Sequence, residues 1–262
     1  FCLLRELAQM RLKVTLQCNP GTVLPYNYNH CLYKAIVRTV HNLRTIGHKR
    51  DLGLFTFSQL YFEQYSISPH GICNLGHNVQ WYISSIKGYF LEAVLKGFTE
   101  AGAISLGTIK MPVNSVEVLA TPEISDSMEF SCMSPITVCC NPEATQGHMR
   151  YGRIEDHDFT EKLRQDLINK HYRVYDSLPT NDNLNFEFNQ RYMANKRRVT
   201  RLINFNGIKI LGYMIPFKVS GNPELIRVGY LMGFGNRNNC GFGMVKVWYP
   251  PSTQEAIDDE VG

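Results

Sequence analysis

Polar and apolar residues alternate from Arg11 to Gln17 (RLKVTLQ), which places Leu12, Val14 and Leu16 on one face. A period of two predicts a half-buried strand. Asn19-Pro20-Gly21 then marks a turn. The period lengthens between Tyr28 and Leu43, where Cys31, Leu32, Ala35, Ile36, Thr39, Val40 and Leu43 fall on one helical stripe, with Gly47 as a stop. Leu52 to Leu60 (LGLFTFSQL) and Trp81 to Ile86 (WYISSI) are β-rich and aromatic and read as strands. Phe90 to Phe98 forms an amphipathic helix, and Val113 to Leu119 closes this half as a strand.

After a boundary at Thr121-Pro122 the order repeats. Strand patterns cover Met128 to Met133 and Ile136 to Cys140. A helix follows from about His157 to His171, with Asp156 or Asp158 available to cap its amides. Extended segments run over Arg197 to Asn204 and Ile208 to Val219, and a short helix begins after Asn222 with Pro223 in its first turn. A glycine-rich stretch, Gly233 to Gly243, feeds a last strand from Met244 to Tyr249. Each half thus reads β-α-β-β-α-β, the ferredoxin-like order. The expected fold is α+β, with two tandem ferredoxin-like domains over 10–121 and 122–249 and an acidic tail or linker over 250–262. Phe1 to Gln9 precede Met10, which reads like a natural start, so they are expected to be fused sequence.

Composition adds little to this picture: 44% hydrophobic and 19% charged residues are those of an ordinary globular protein. No run approaches the roughly 18 apolar residues of a membrane span, and the chain start carries Arg5 and Glu6, unlike a secretory signal. A cytoplasmic protein with reduced thiols is expected. The eight cysteines show no CxxC spacing, so no zinc site and no other metal or cofactor is expected.

Charge distribution changes the picture more. Between Asn189 and Tyr249 ten basic residues face one acid, Glu224, a local balance of 10 − 1 = +9 in a chain whose net charge is +4. Such a concentration is the footprint of a surface that neutralises phosphates; the alternative is a solvated basic face without a partner. Arg197, Arg198 and Arg201 are the leading phosphate or stem contacts, extended by Lys196 and Arg191. On an extended segment Arg197 and Arg201 would share a face and Arg198 would point the other way. Tyr26, Tyr28 and Phe234 are candidates for base stacking or, equally, core residues.

Within GYLMGFGNRNNCGFGMV (Gly229 to Val245), Gly233, Gly235, Gly241 and Gly243 flank the polar turn Asn236-Arg237-Asn238-Asn239. Glycines let a backbone approach a ligand and present its N–H groups, so the loop can cradle phosphates; a long hairpin with structural glycines is the alternative. Neither a dinucleotide fingerprint nor a Walker loop is present.

Asn222 to Val247 (NPELIRVGYLMGFGNRNNCGFGMVKV) resembles the C-terminal signature of the Cas-six family of CRISPR pre-crRNA endoribonucleases. Four more segments agree in order: MRLKVTL at Met10 to Leu16, LPYNY at Leu24 to Tyr28, LFTFSQL at Leu54 to Leu60 and SPITV at Ser134 to Val138. The resemblance implies metal-independent cleavage of CRISPR repeat RNA. It also implies retention of the product as guide RNA, with other CRISPR effector subunits as partners. In that reaction a 2′-OH attacks the adjacent phosphate, giving a 2′,3′-cyclic phosphate and a 5′-OH. It needs a proton acceptor, a proton donor and cations.

The family's catalytic histidine commonly lies between the first helix and the LFTFS strand, a placement that His48 matches, with Lys49, Arg50 and Arg44 nearby. His48 as a mere exposed loop residue is the alternative, and His41 on the helix is the reserve. Two positions depart from the family: Gly53 stands where some members have lysine, and Val37 where some have tyrosine. Tyr33, one turn before Val37, and Lys49 or Arg50 are the candidate replacements. A non-catalytic subunit that caps the guide RNA is the second reading. A single-strand binder of RNA-recognition-motif type is the third, but its aromatic signature is only echoed in CGFGMVKV at 240–247.

Overall fold

The computed structural model describes residues 10–42, 53–140 and 149–248. Strand β1 (Met10–Gln17) lies at the centre of the first sheet. Its antiparallel partners are β7 (Asn78–Ser85), in register Leu12↔Ile83 and Val14↔Trp81, and β9 (Ile109–Ala120), across a bulge at Thr15/Leu16. The alternation of this strand has its expected consequence: Leu12, Val14, Leu16, Val79, Trp81 and Ile83 are all buried. Helix α1 (Asn29–Asn42) brings Leu32, Ile36 and Val40 onto that face, and α2 (Gly88–Ala101) brings Phe90, Leu91, Val94 and Phe98. Each such fully buried side chain contributes roughly 1.5–3 kcal/mol. Strand β3 (Phe55–Phe57) pairs with β7. The order β3-β7-β1-β9 puts the fourth ferredoxin strand beside the first, and β8 (Ala103–Leu106) adds a hairpin to β9 at the edge.

The second module repeats the plan. Strands β10 (Ser127–Cys132), β11 (Leu184–Phe188), β14 (Phe217–Gly221) and β15 (Val245–Val247) form an antiparallel sheet in the order β11-β14-β10-β15. Helices α3 (Phe159–Tyr175) and α5 (Pro223–Met232) supply Phe159, Leu163, Leu167, Leu225, Ile226 and Val228 to its core. Asn222 caps α5, its side chain accepting from Glu224 N at 2.8 Å. The two tandem ferredoxin-like modules expected from the sequence are present, and the Thr121-Pro122 segment joins β9 to β10.

Each module carries an insertion, of which the hydropathy pattern resolved only the extended segments that form β12 and β13 of the second. The first holds β4 (Tyr61–Phe62) and a small sheet made of β2 (Val23–Leu24), β5 (Tyr65–Ser68) and β6 (Gly71–Asn74). The second holds the short helix α4 (Gln190–Asn195) and a hairpin of β12 (Thr200–Phe205) and β13 (Ile208–Tyr213).

Three local expectations are corrected. Ile136 to Cys140 is no strand but makes single bridges, Ile136 to Tyr213 and Cys139 to Tyr151. Asp158 stands at the start of α3 without a side-chain cap, because its carboxylate pairs with Lys162 at 2.6 Å. Asp156 accepts from Arg153 N instead of capping α3. The extended run from Ile208 to Val219 is two strands, broken around Pro216.

The modules are joined by a buried cation. Arg11 of β1 donates to the carbonyls of Tyr230 and Val245, and its guanidinium lies 3.5 Å from the Tyr230 ring centroid. Burial pulls its pKa down to about 10, so it remains charged at neutral pH. Leu54 and Ile86 of the first module also enter the core of the second.

Candidate RNA-binding face

The inserted hairpin is what brings the two modules' candidate chemistry together. Asn204 N on β12 donates to Asn27 Oδ1 at 2.8 Å, just before α1. Phe205, the next residue, stands edge-on to His30 (ring centroids 5.1 Å) and Tyr33 (5.8 Å) of α1. His30 and Tyr33 stack on each other at 6.5 Å and 15°, and Tyr33 stacks on Phe55 at 6.5 Å and 10°. Burial, followed by the charge of Lys34, lowers the pKa of His30 from its ordinary value.

The predicted cations lie on this hairpin and on the segment that leads into it. Arg191, Lys196, Arg197, Arg198, Arg201 and Lys209 are all exposed, and none forms an ion pair among the described residues. Lys196 sits over the Tyr192 ring at 5.7 Å. The strand starts at Thr200, so Arg197 and Arg198 precede it in a bend, and strict alternation applies only to Arg201, opposite Gly212. Helix α4 escaped sequence reading because QRYMAN carries no apolar stripe; its cap, Asn189, accepting from Tyr192 N, was the available signal.

Beneath the hairpin lies the glycine-rich loop, and there the structure departs from the expectation of an exposed phosphate cradle. Gly233, Gly235, Gly241 and Gly243 are buried. The amides of Gly233, Gly241 and Gly243 donate to the carbonyls of Gly229, Asn238 and Pro135 rather than pointing outward. Thr56 Oγ1 donates to Phe242 O at 2.9 Å, and Asn29 Nδ2 to Cys240 O at 3.2 Å, so the loop is gripped by the first module. A Cβ on Gly243 (φ +76°) would stand 2.0 Å from Phe234 O, and one on Gly241 (φ +84°) 2.4 Å from the Phe57 ring. These glycines serve close packing, Gly241 against Phe57 and Asn29 of the first module and Gly235 and Gly243 against backbone of their own.

The polar turn is likewise spent on the loop itself. Asn236 accepts from Cys139 N (2.7 Å) and donates to Asp166 (2.9 Å), while Asn238 donates to Phe242 O (3.0 Å). Lys170 of α3, buried, donates to Gly233 O and Gly235 O at 2.8 and 2.7 Å and pairs with Asp166. Burial pushes the Asp166 carboxyl up and the Lys170 ammonium down, each partly restored by the other. Arg237, half-buried at φ +60°, lies against Met149, with Cys139 and Tyr151 near. Two of the three stacking candidates are core residues: Phe234 packs on Phe217 and Phe130, and Tyr28 is buried, its hydroxyl accepting from Leu60 N. Tyr26 is exposed.

Of the catalytic candidates, Tyr33 is half-buried in the aromatic group just described. His48 and Lys49, with Arg44 and Arg50, lie outside the described residues, as does the side chain of His41, whose backbone belongs to α1. His30 was not singled out by sequence reasoning; its place two residues after LPYNY, three helical turns before His41, was the signal available. The gap at Gly53 is filled by a cation from the other module. Arg173 Nη2 of α3 lies 3.2 Å from the position a Gly53 Cβ would take.

Comparison with known proteins agrees with this two-module layout. Residues 23–117 match the family model of the CRISPR-associated protein Cas6 N-terminal region, and residues 119–247 match that of its C-terminal region. The chain belongs to the Cas6 family. It is 31% identical over 242 residues to the CRISPR-associated endoribonuclease Cas6 1 of Methanocaldococcus jannaschii, covering 90% of this chain and 92% of that protein. With the CRISPR-associated endoribonuclease Cas6 of Pyrococcus furiosus it shares 28% identity, covering 90% and 88%. The structure of a Cas6-related gene product from P. furiosus superposes with a TM-score of 0.81 at 26% identity, over 92% of this chain and 98% of that one. A structure described as an RAMP protein binding different RNA substrates superposes at 0.78 and 25% identity, over 92% and 100%. No helix of the described residues is long and apolar enough to cross a membrane.

Proposed function

We propose that this Cas6-family protein binds CRISPR repeat RNA and cleaves it within the repeat as an endoribonuclease. One observation carries the reading: a hairpin that, with the segment leading into it, bears exposed cations without ion-pair partners among the described residues is docked against the helix that bears His30, Tyr33 and His41. A-form stems are recognised through backbone and shape, which suits Arg197, Arg198, Arg201, Lys196 and Arg191. The chemistry is 2′-OH attack without a metal ion, leaving a 2′,3′-cyclic phosphate. His48 is the proton-transfer group, with His41 in reserve, and Lys49 and Tyr33 support the developing charge. The product stays bound as guide RNA for other CRISPR effector subunits.

Retention without cleavage, as a guide-RNA cap, is the second reading, favoured by Val37 and Gly53 at positions where family members carry tyrosine and lysine. Incubation of labelled repeat RNAs in excess EDTA with the parent protein and His48→Ala separates them. Site-specific cyclic-phosphate ends from the parent, lost in His48→Ala with binding intact, are expected. Cleavage that survives the substitution moves the role to His41. A repeat that is tightly bound and never cut turns the protein into the cap.

A further inference from the structure

The hairpin and aromatic group occupy one side of α1. On its other side, the helix and the β8–β9 hairpin enclose an open groove of about 310 Å³. Lys34 and Arg38 line its helical wall, Ser105 and Gly107 its hairpin wall. Both cations are exposed, and neither joins an ion pair among the described residues. No carboxylate lines the groove. Lys34 and Arg38 are one turn apart, about 6 Å along the helix axis.

Lys34 also links the two sides of the helix, since its charge is felt by His30. Cations gathered in a trough without counter-charge repel one another, and a polyanion relieves that repulsion by giving up its own counterions. A groove of about 310 Å³ has room for a piece of one sugar–phosphate strand and not for a duplex. We infer that the groove between α1 and the β8–β9 hairpin is a second anchoring site for the RNA. It binds the backbone of a single-stranded stretch through Lys34 and Arg38. The inference rests on the proposed function and extends the RNA path around α1 to the face opposite the basic hairpin.

The test compares the parent with Lys34→Ala/Arg38→Ala, measuring dissociation constants across a salt series. The probes are a full cognate repeat and the same RNA trimmed from either end. The double variant is expected to bind the full repeat about tenfold more weakly near 0.15 M salt. Its slope of log K against log salt should flatten by about 1.4, two single-strand contacts at about 0.7 each. The difference should vanish for the RNA trimmed at one end. Lys96→Ala, an exposed cation on α2 paired with Glu100 and not lining the groove, is expected to change neither quantity. Matching thermal midpoints confirm that the variants are folded. Equal affinity and slope in the double variant overturn the inference, whether the groove is vacant or takes an acidic protein. If the parent binds no repeat RNA, the proposed function fails in the parent alone and the groove falls with it. If the parent binds and the double variant matches it, only the groove is lost.

Discussion

The glycine-rich loop and the basic hairpin come from one module, and both carry sequence signals associated with phosphate binding. They end in opposite environments. Along the loop, the amides of Gly233, Gly241 and Gly243 are satisfied by carbonyls, Asn238 holds the loop's own turn, Asn236 ties it to Cys139 and Asp166, and Lys170 seals it from below. Along the hairpin and the segment leading into it, Arg197, Arg198, Arg201 and Lys209 project into solvent with no protein partner among the described residues. Glycine reports that something comes close without saying what. Here it is the backbone at Phe234 and Pro135 and the Phe57 ring. An arginine with no carboxylate in reach is the stronger indication of an absent polyanion.

The comparison breaks if substitutions in the two regions have the same consequence. Gly243→Val should have the largest effect. It forces a β-branched residue to φ +76° with Cβ inside the contact distance of Phe234 O. A destabilisation of more than about 4 kcal/mol is expected, read by thermal or urea denaturation, with RNA binding lost only because the fold is lost. Next comes Arg197→Ala/Arg198→Ala/Arg201→Ala. Surface changes of this kind alter stability by roughly 0.5 kcal/mol or less each. Affinity for the repeat, however, should fall by about ten- to a hundredfold, with the salt slope reduced by up to about 2. A large fall in melting temperature would show that these arginines hold the structure together.

The smallest effect belongs to His30, where the hairpin meets α1. Its folded pKa lies below the unfolded value of about 6.5, so the unfolded chain binds the extra proton first. The stability this histidine contributes is present above that pH and fades as the pH falls through it. A pH series of denaturation midpoints should show a slight acid-side loss that His30→Gln removes. An unchanged profile in His30→Gln would separate the histidine from the acid sensitivity.

The ferredoxin-like plan was legible because its strands and helices have clean periods: two at Leu12, Val14 and Leu16, and a helical stripe at Leu32, Ile36 and Val40. The insertions were legible only in the two extended segments that became β12 and β13. Strands as short as Val23–Leu24 have no room for a period, and α4 is too polar to show one. The basic character of 189–209 could be read, but its docking could not. Asn204 and Asn27 are 177 residues apart, and nothing in either neighbourhood encodes that hydrogen bond. The burial of the glycine-rich loop was hidden for the same reason, since its partners Asn29, Thr56 and Phe57 lie in the other module. Arg173 beside Gly53 is a third case, a cation supplied across the module boundary.

Arg11 stands at the opening of the first strand, yet its carbonyl partners at Tyr230 and Val245 follow 219 and 234 residues later. On the ribosome the first module emerges and packs long before those carbonyls exist. Until they arrive, the Arg11 guanidinium keeps its hydration, and Phe57 and Asn29 have no loop to cover them. The joining of the modules is a late, high-contact-order event that closes only when β15 has been made. A nascent chain released early would hold a folded first half and no assembled RNA path. Completion of synthesis is thus built into the protein as the condition for binding.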